Sequence, residues 1–153
     1  MTHATLCSGI DGFALAAAQL GWKNEFYCEI DPFCLQVLEY NYPNAKKYTD
    51  VKQSDFTIWN GKINVLSAGF PCQPYSNAGR RKGTADDRHL WPEIARAIGE
   101  IQPNYFVGEN VSGIVNWKDG LVFEQIIADL EDEGYQIAPI LLPACSKNAP
   151  HKR

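Results

Sequence analysis

Short apolar runs alternate with longer amphipathic stretches along the chain. Runs of four to eight residues rich in β-branched and aromatic side chains are typical of strands, and apolar residues spaced three or four apart are typical of helices. The pattern predicts six strands, at residues 4–7, 25–28, 47–49, 63–68, 105–108 and 135–142. It predicts four helices, at residues 13–20, 32–40, 90–101 and 121–130.

Regular alternation of strands and helices predicts an α/β fold: a doubly wound, mainly parallel sheet with helices on both faces. The length of 153 residues is that of one ordinary domain. In the second helix, Asp31 is the expected N-cap, and Phe33, Val37 and Leu38 are expected to share the face that meets the core. The third helix is expected to bury its isoleucines, which have core spacing.

Composition limits the kind of site that this fold can carry. The formal net charge is −4, so a role on nucleic acid requires a local basic patch or further protein. The five cysteines include no Cys-x-x-Cys pair, which argues against a disulfide framework and a zinc site, so no metal is expected. No apolar run reaches the roughly 20 residues that span a bilayer, and the start lacks signal-peptide character. We therefore expect a reducing, cytoplasmic setting and no membrane partner.

Polar or reactive residues follow five of the predicted strands. The glycine-containing turn 8–12 follows the first strand, Glu29 the second, Asp50 the third, Cys72 the fourth and Glu109 the fifth. Because ligands bind outside the carboxyl ends of parallel strands, these residues predict one crevice. Each feature taken alone has a structural alternative: the turn could close a strand–helix corner, Glu29 could be an exposed carboxylate at a helix start, and Asp50 could cap a turn.

The segment around Cys72 carries the strongest chemical signal. Pro71 and Pro74 hold this thiol on rigid, non-helical backbone, and the basic, glycine-containing loop predicted at 75–88 supplies cations that lower a thiol pKa. None of the three histidines follows a predicted strand directly, which argues against a thiol hydrolase. A thiolate paired with the carboxyl group of Glu109 instead suits attack on an electron-poor heteroaromatic ring.

At this point the chain resembles one family, the cytosine-C5 DNA methyltransferases. The resemblance is carried by the segments 6–13 (Leu-Cys-Ser-Gly-Ile-Asp-Gly-Phe), 29–31 (Glu-Ile-Asp), 69–76 (Gly-Phe-Pro-Cys-Gln-Pro-Tyr-Ser), 83–87, 109–111 (Glu-Asn-Val) and 149–153. These segments occur in the order of the family and span essentially the whole chain. The Pro-Cys-Gln and Glu-Asn-Val elements together are highly specific.

The resemblance implies methyl transfer from S-adenosylmethionine to C5 of a cytosine that is flipped out of double-stranded DNA. It assigns Cys72 as the nucleophile that adds to C6, and Glu109 as the acid that contacts N3. The cofactor-binding residues that it implies are Ser8, Gly9, Ile10, Asp11, Gly12, Phe13, Glu29, Ile30, Asp50, Val51, Gly69 and Leu90. The substrate-binding residues that it implies are Pro71, Gln73, Ser76, Arg80, Arg81, Asn110 and Arg153.

Three departures from the family pattern qualify this reading. Cys7 stands where the family usually has phenylalanine, and Asp11 stands where a second glycine is common. The Arg-x-Arg element has only its first member, Arg153, and no target-recognition region follows it. We therefore expect a fragment or one half of a split enzyme, little activity alone, and a second polypeptide that supplies the missing region. The alternatives are an RNA cytosine-C5 methyltransferase and a non-catalytic regulatory partner of a methyltransferase.

Overall fold

The computed structural model describes residues 1–71 and 90–150. Within them it has five strands and four α-helices, and each boundary lies within two residues of the sequence prediction. The strands are β1 (Thr2–Leu6), β2 (Lys23–Cys28), β3 (Lys46–Tyr48), β4 (Val65–Ala68) and β5 (Tyr105–Gly108). The helices are α1 (Gly12–Gln19), α2 (Pro32–Asn41), α3 (Trp91–Ile101) and α4 (Leu121–Asp132). Short 3₁₀ turns connect them.

The strands form one parallel sheet in the order β3-β2-β1-β4-β5. The chain moves outward from β1 through β2 to β3 and then returns to the other side of β1. Because parallel crossovers are right-handed, this reversal places α1 and α2 on one face of the sheet and α3 on the other. The predicted doubly wound α/β fold is confirmed, and its switch point lies between β1 and β4.

Both faces of the sheet contribute to the core. On α3 the predicted isoleucines Ile94, Ile98 and Ile101 are fully buried. Beside β2 an aromatic cluster surrounds Phe26, whose ring centroid lies 5.4 Å from that of Phe56 and 5.2 Å from that of Trp59. These contacts pack the segment between β3 and β4 against the sheet.

The second helix begins as predicted but buries a narrower face. The Asp31 carboxylate accepts hydrogen bonds from the backbone N–H groups of Phe33 and Cys34, and Pro32 fills the first turn. Leu38 is fully buried, whereas Phe33 is 67% exposed, so its prediction as a core residue was wrong. At 100° per residue the two side chains point about 140° apart, and Phe33 faces solvent near the carboxyl edge of the sheet.

The prediction of a sixth strand at residues 135–142 was also wrong. This segment has no strand geometry, and Ile140 and Leu141 are 81% and 83% exposed. A strand forms only where another strand satisfies its N–H and C=O groups, and among the described residues β5 has only one strand neighbour, β4. Separately, none of the described helices is long and apolar enough to span a membrane.

Candidate active site

Three strands of the sheet continue their hydrogen-bond ladders one or two residues beyond their ends. Ser8 N–H donates to the Cys28 carbonyl at 3.1 Å, and Glu29 N–H donates to the Tyr48 carbonyl at 3.1 Å. Glu109 N–H donates to the Ala68 carbonyl at 2.9 Å. The residues predicted to carry chemistry therefore start from fixed backbone positions along one edge of the sheet.

The glycine turn after β1 meets the acid after β2 directly. Glu29 Oε2 accepts a hydrogen bond from Gly9 N–H at 2.6 Å, and Oε1 accepts from the N–H groups of Ile30 and Asp31 at 2.8 and 2.9 Å. Gly9 has φ +56°, a conformation that side chains rarely adopt. The carboxylate is thus held at the mouth of the turn, in a position set by three backbone donors.

Apolar side chains flank this contact on its exposed side. Ile10 and Ile30, the neighbours of Gly9 and Glu29, are both largely exposed, as is Phe33 on the first turn of α2. Large apolar groups beside a bonded carboxylate suit a ligand that has both a flat apolar part and hydroxyl groups. That Ile10, Glu29 and Ile30 bind a cofactor stays a prediction.

Asp11 has a different environment from the rest of the turn. Its side chain is 2% exposed, and its carboxylate accepts hydrogen bonds from Ala14 N–H at 2.8 Å and from the Thr5 hydroxyl at 2.6 Å. The residue caps α1 in the left-handed region, with φ 62°. Asp11 therefore binds its own chain and does not face the open side of the turn.

The third strand end is tied to α3. The carboxylate of Asp50 accepts from Lys52 N–H at 2.9 Å, so it caps a turn, as its structural alternative anticipated. The next residue, Val51, is buried, and its carbonyl accepts a hydrogen bond from Arg96 Nη2 at 2.6 Å. A role for Asp50 and Val51 in cofactor binding remains a prediction.

The ends of β4 and β5 lie side by side. A Cβ placed on Gly69 would lie 3.8 Å from Glu109 Oε2, so the carboxylate stands next to the backbone that leads towards Cys72. The side chain of Asn110 donates to the Phe70 carbonyl at 3.1 Å, and the Phe70 ring lies 5.6 Å from that of Trp91. Asn110 therefore orients the exit from β4, while Glu109 itself is exposed to solvent.

Two described cysteines near this edge, Cys7 and Cys28, are poor nucleophiles. Burial, together with the nearby Glu29 carboxylate, raises the pKa of Cys7 to about 12. Burial likewise raises the pKa of Cys28 to about 12. Both groups are protonated thiols at neutral pH, and a buried protonated thiol behaves as a small apolar side chain.

Several predicted site residues lie outside the described residues: Cys72, Gln73, Ser76, Arg80, Arg81 and Arg153. The structure also adds residues that the sequence did not single out. Thr5 was treated only as part of a strand, and the contact of its hydroxyl with Asp11 has no local sequence signal. The spacing of Arg96 from Glu93 and Glu100 could have indicated ion pairs, but not its bond to Val51.

Comparison with known proteins shows the family to which the chain is similar. The family model "C-5 cytosine-specific DNA methylase" matches residues 1–153. The Type II methyltransferase M.PspPI of Psychrobacter sp. (strain TA137) is 42% identical over 134 residues, which are 86% of this chain and 32% of the relative. M.Eco47II of Escherichia coli is 38% identical over 155 residues, 99% of this chain and 37% of the relative. The chain therefore spans about a third of the length of these relatives.

Solved structures agree with the fold. The crystal structure of a prophage-encoded DNA modification methyltransferase of E. coli matches with a TM-score of 0.69 and 27% identity, over 86% of this chain and 38% of that one. The S. pombe Dnmt2 methyltransferase matches with a TM-score of 0.77 over 100% of this chain and 48% of that one. At 23% identity, the second likeness concerns the fold alone.

Proposed function

We propose that this chain, which belongs to the C-5 cytosine-specific DNA methylase family, supplies the catalytic part of a DNA (cytosine-5-)-methyltransferase that uses S-adenosylmethionine. The observation that carries this proposal is that the Glu109 carboxylate lies beside Gly69. Gly69 belongs to the segment that leads to Cys72. Within the family match, these strand ends bring a carboxyl group to the start of the Pro-Cys-Gln element.

The described residues fit the cofactor. Glu29 presents a carboxylate for ribose hydroxyls, Ile30 an exposed apolar surface for adenine, and the turn around Gly9 an open side free of side-chain bulk. When bound, S-adenosylmethionine supplies an electrophilic methyl group. The chain's own residues then have two tasks: to hold this group at the carboxyl edge, and to make C5 of the cytosine nucleophilic.

The second task falls to Cys72 and Glu109. Addition of the Cys72 thiolate to C6 forms an S–C bond and pushes electron density through the ring towards N3 and C5. The Glu109 carboxyl group hydrogen-bonds at N3 and stabilises that charge. After C5 has taken the methyl group, loss of its proton to a base expels the Cys72 thiolate and restores the aromatic ring. The target cytosine must come out of the DNA stack before Cys72 can attack it.

DNA binding must draw on positive charge away from the carboxyl edge of the sheet, because the described charged residues that follow the strands there, Glu29, Asp50 and Glu109, are acidic. We propose that the basic stretch 80–88 contacts phosphates around the flipped base. Because this chain spans about a third of its relatives, we also propose that a further region, in the same polypeptide or a second one, selects the target sequence.

Trapping of the covalent adduct tests the proposal. An adduct needs only a single turnover, so it can form although little steady-state activity is expected of the chain alone. The purified chain, in molar excess, is incubated with S-adenosylmethionine and a duplex whose 5-fluorocytosine target faces a gap, because an unpaired base costs less to flip. We expect a denaturation-resistant adduct that is retained in Cys145→Ser, the matched control, and lost in Cys72→Ser. An adduct that survives in Cys72→Ser would contradict the mechanism, and an adduct formed only on 5-fluorocytosine tRNA would make the substrate RNA.

A further inference from the structure

Asp11 lies at the centre of a hydrogen-bond chain that crosses the sheet edge. Its Oδ1 accepts from Ala14 N–H at 2.8 Å, which joins the turn to α1, and its Oδ2 accepts from the Thr5 hydroxyl at 2.6 Å, which joins the turn to β1. The Thr5 hydroxyl also contacts the Ser8 hydroxyl, which donates to the Cys28 carbonyl at 3.2 Å. The chain thus runs from α1 through β1 to the end of β2.

These hydrogen bonds fix the residues on both sides of Gly9, the residue whose N–H bonds Glu29. Ser8 is fixed on one side of Gly9 through its hydroxyl and through its own N–H, and Asp11 is fixed on the other. Asp11 N–H also donates to the Ser8 carbonyl at 2.9 Å, which closes the turn. A Cβ placed on Gly9 would meet nothing within 4 Å, so no side-chain packing holds Gly9; it is held by its N–H bond to Glu29 and by these neighbours.

We propose that Asp11 is a positioning residue for cofactor binding: its carboxylate clamps the turn so that Gly9 N–H is held against Glu29. Glycine, common at position 11 in the family, reaches the same left-handed backbone without strain, but it adds conformational freedom and has no side chain to bond Thr5 or Ala14. In this protein the hydrogen bonds of the Asp11 side chain restrict the turn that a glycine at this position would leave freer. The significance of Asp11 for a cofactor rests on the proposed function, whereas its effect on the Gly9–Glu29 contact does not.

The competing reading is that Asp11 only caps α1. N-capping aspartates commonly stabilise helices by about 1 kcal/mol without any effect on a ligand. The Thr5 bond is the feature that capping does not require, because it points to the strand and not to the helix. Burial raises the pKa of Asp11, and the hydrogen bonds from Thr5 and Ala14 act in the opposite direction. The pKa of Asp11 remains raised on balance, and the two bonds act against this rise because they are made to the charged carboxylate.

The amide resonance of Gly9 provides a readout that is independent of any ligand. A short N–H bond to a carboxylate moves the amide proton strongly downfield, since such charge-assisted bonds are stronger than neutral ones. We would assign the ¹H–¹⁵N spectrum of the full chain and record it for Asp11→Gly, Asp11→Asn and Thr5→Val. The matched control is Ser67→Ala. Ser67 pairs with Thr5 in the sheet, and its buried hydroxyl bonds His3 and not the turn.

Affinity for S-adenosylhomocysteine, measured by calorimetry well below the melting temperature of each variant, is the second readout. We expect the Gly9 proton to move upfield in Asp11→Gly and Thr5→Val, with affinity reduced by about tenfold, the size set by two lost hydrogen bonds and a freer turn. Asp11→Asn keeps an acceptor for Ala14 and should recover part of both. Ser67→Ala should lower the melting temperature but leave both readouts unchanged.

Two results separate this inference from the proposed function. An unchanged Gly9 resonance and unchanged affinity in Asp11→Gly would overturn the positioning role, as would a purely thermal effect in Thr5→Val. If the Gly9 resonance responds as expected but the wild-type chain binds no S-adenosylhomocysteine, the clamp is supported and its assignment to a cofactor is overturned.

Discussion

Replacement of Arg96 by methionine should loosen the segment that follows β3. The Arg96 guanidinium donates to the carbonyls of Val51 and Ser54 at 2.6 and 3.2 Å. It also pairs with Glu93 and Glu100 on its own helix, at 2.9 and 2.5 Å. Methionine keeps much of the apolar stem but none of the donors, so α3 loses its side-chain bonds to these two carbonyls.

The expected cost is about 2 kcal/mol. Each bond to a carbonyl contributes roughly 1 kcal/mol net, and the ion pairs contribute only a few tenths each, since the arginine side chain is 34% exposed and solvent screens it. For a domain of this size, that loss lowers the melting temperature by roughly 4–8 °C.

Urea denaturation monitored by tryptophan fluorescence measures the change. The control is Lys23→Met, which breaks a pair with Glu25 at 2.9 Å in which the lysine is 71% exposed, and it should cost less than about 0.5 kcal/mol. Under the proposed function, S-adenosylhomocysteine affinity should fall in Arg96→Met and not in Lys23→Met. A loss of stability below about 0.5 kcal/mol in Arg96→Met would refute the assigned role of the two carbonyl bonds.

Three further predictions concern the core and the thiols. Phe56→Ala should destabilise the fold by about 3–5 kcal/mol, because the ring is fully buried against Phe26, and chemical denaturation would contradict this with a loss below about 1 kcal/mol. Burial lowers the pKa of His3 below 6.5, so the folded state prefers the neutral ring. The stability advantage of wild type over His3→Gln should therefore be complete above pH 6.5 and shrink as pH falls towards the folded pKa. A difference in melting temperature that does not change with pH would contradict this. Iodoacetamide at pH 8 should modify Cys28 at least about a hundredfold more slowly than the exposed Cys145, because the pKa of Cys28 is raised to about 12; comparable rates by mass spectrometry would show that the buried thiol is accessible.

The sequence was sufficient to predict most of the sheet and its helices, for a physical reason. Burial of apolar side chains dominates the energetics of these elements, and the spacing of apolar residues records that burial directly. The isoleucines of α3 illustrate this, since each position predicted for the core is fully buried. The prediction for Phe33 was wrong because α2 meets the sheet on one side only, so its buried face is narrower than its apolar face.

The site divided differently. Residues that follow strands could be predicted, because parallel topology brings strand ends to one edge, and Glu29 and Glu109 both lie there in backbone positions fixed by neighbouring strands. The bonds that set their surroundings could not. The Thr5–Asp11 bond and the Arg96–Val51 bond each depend on the distance between side chains in the folded chain, which no local pattern encodes.

The failed strand at 135–142 shows where this kind of prediction stops. Its apolar residues indicate a segment suited to burial, but strand geometry is a property of two backbones that satisfy each other. Tyr105 and Val107, which share one face of β5, are exposed, as are Ile140 and Leu141, so an apolar strand face and an apolar segment both face solvent among the described residues. Hydrophobic pattern therefore predicts the environment that a segment prefers, whereas its conformation depends on the partner that provides this environment.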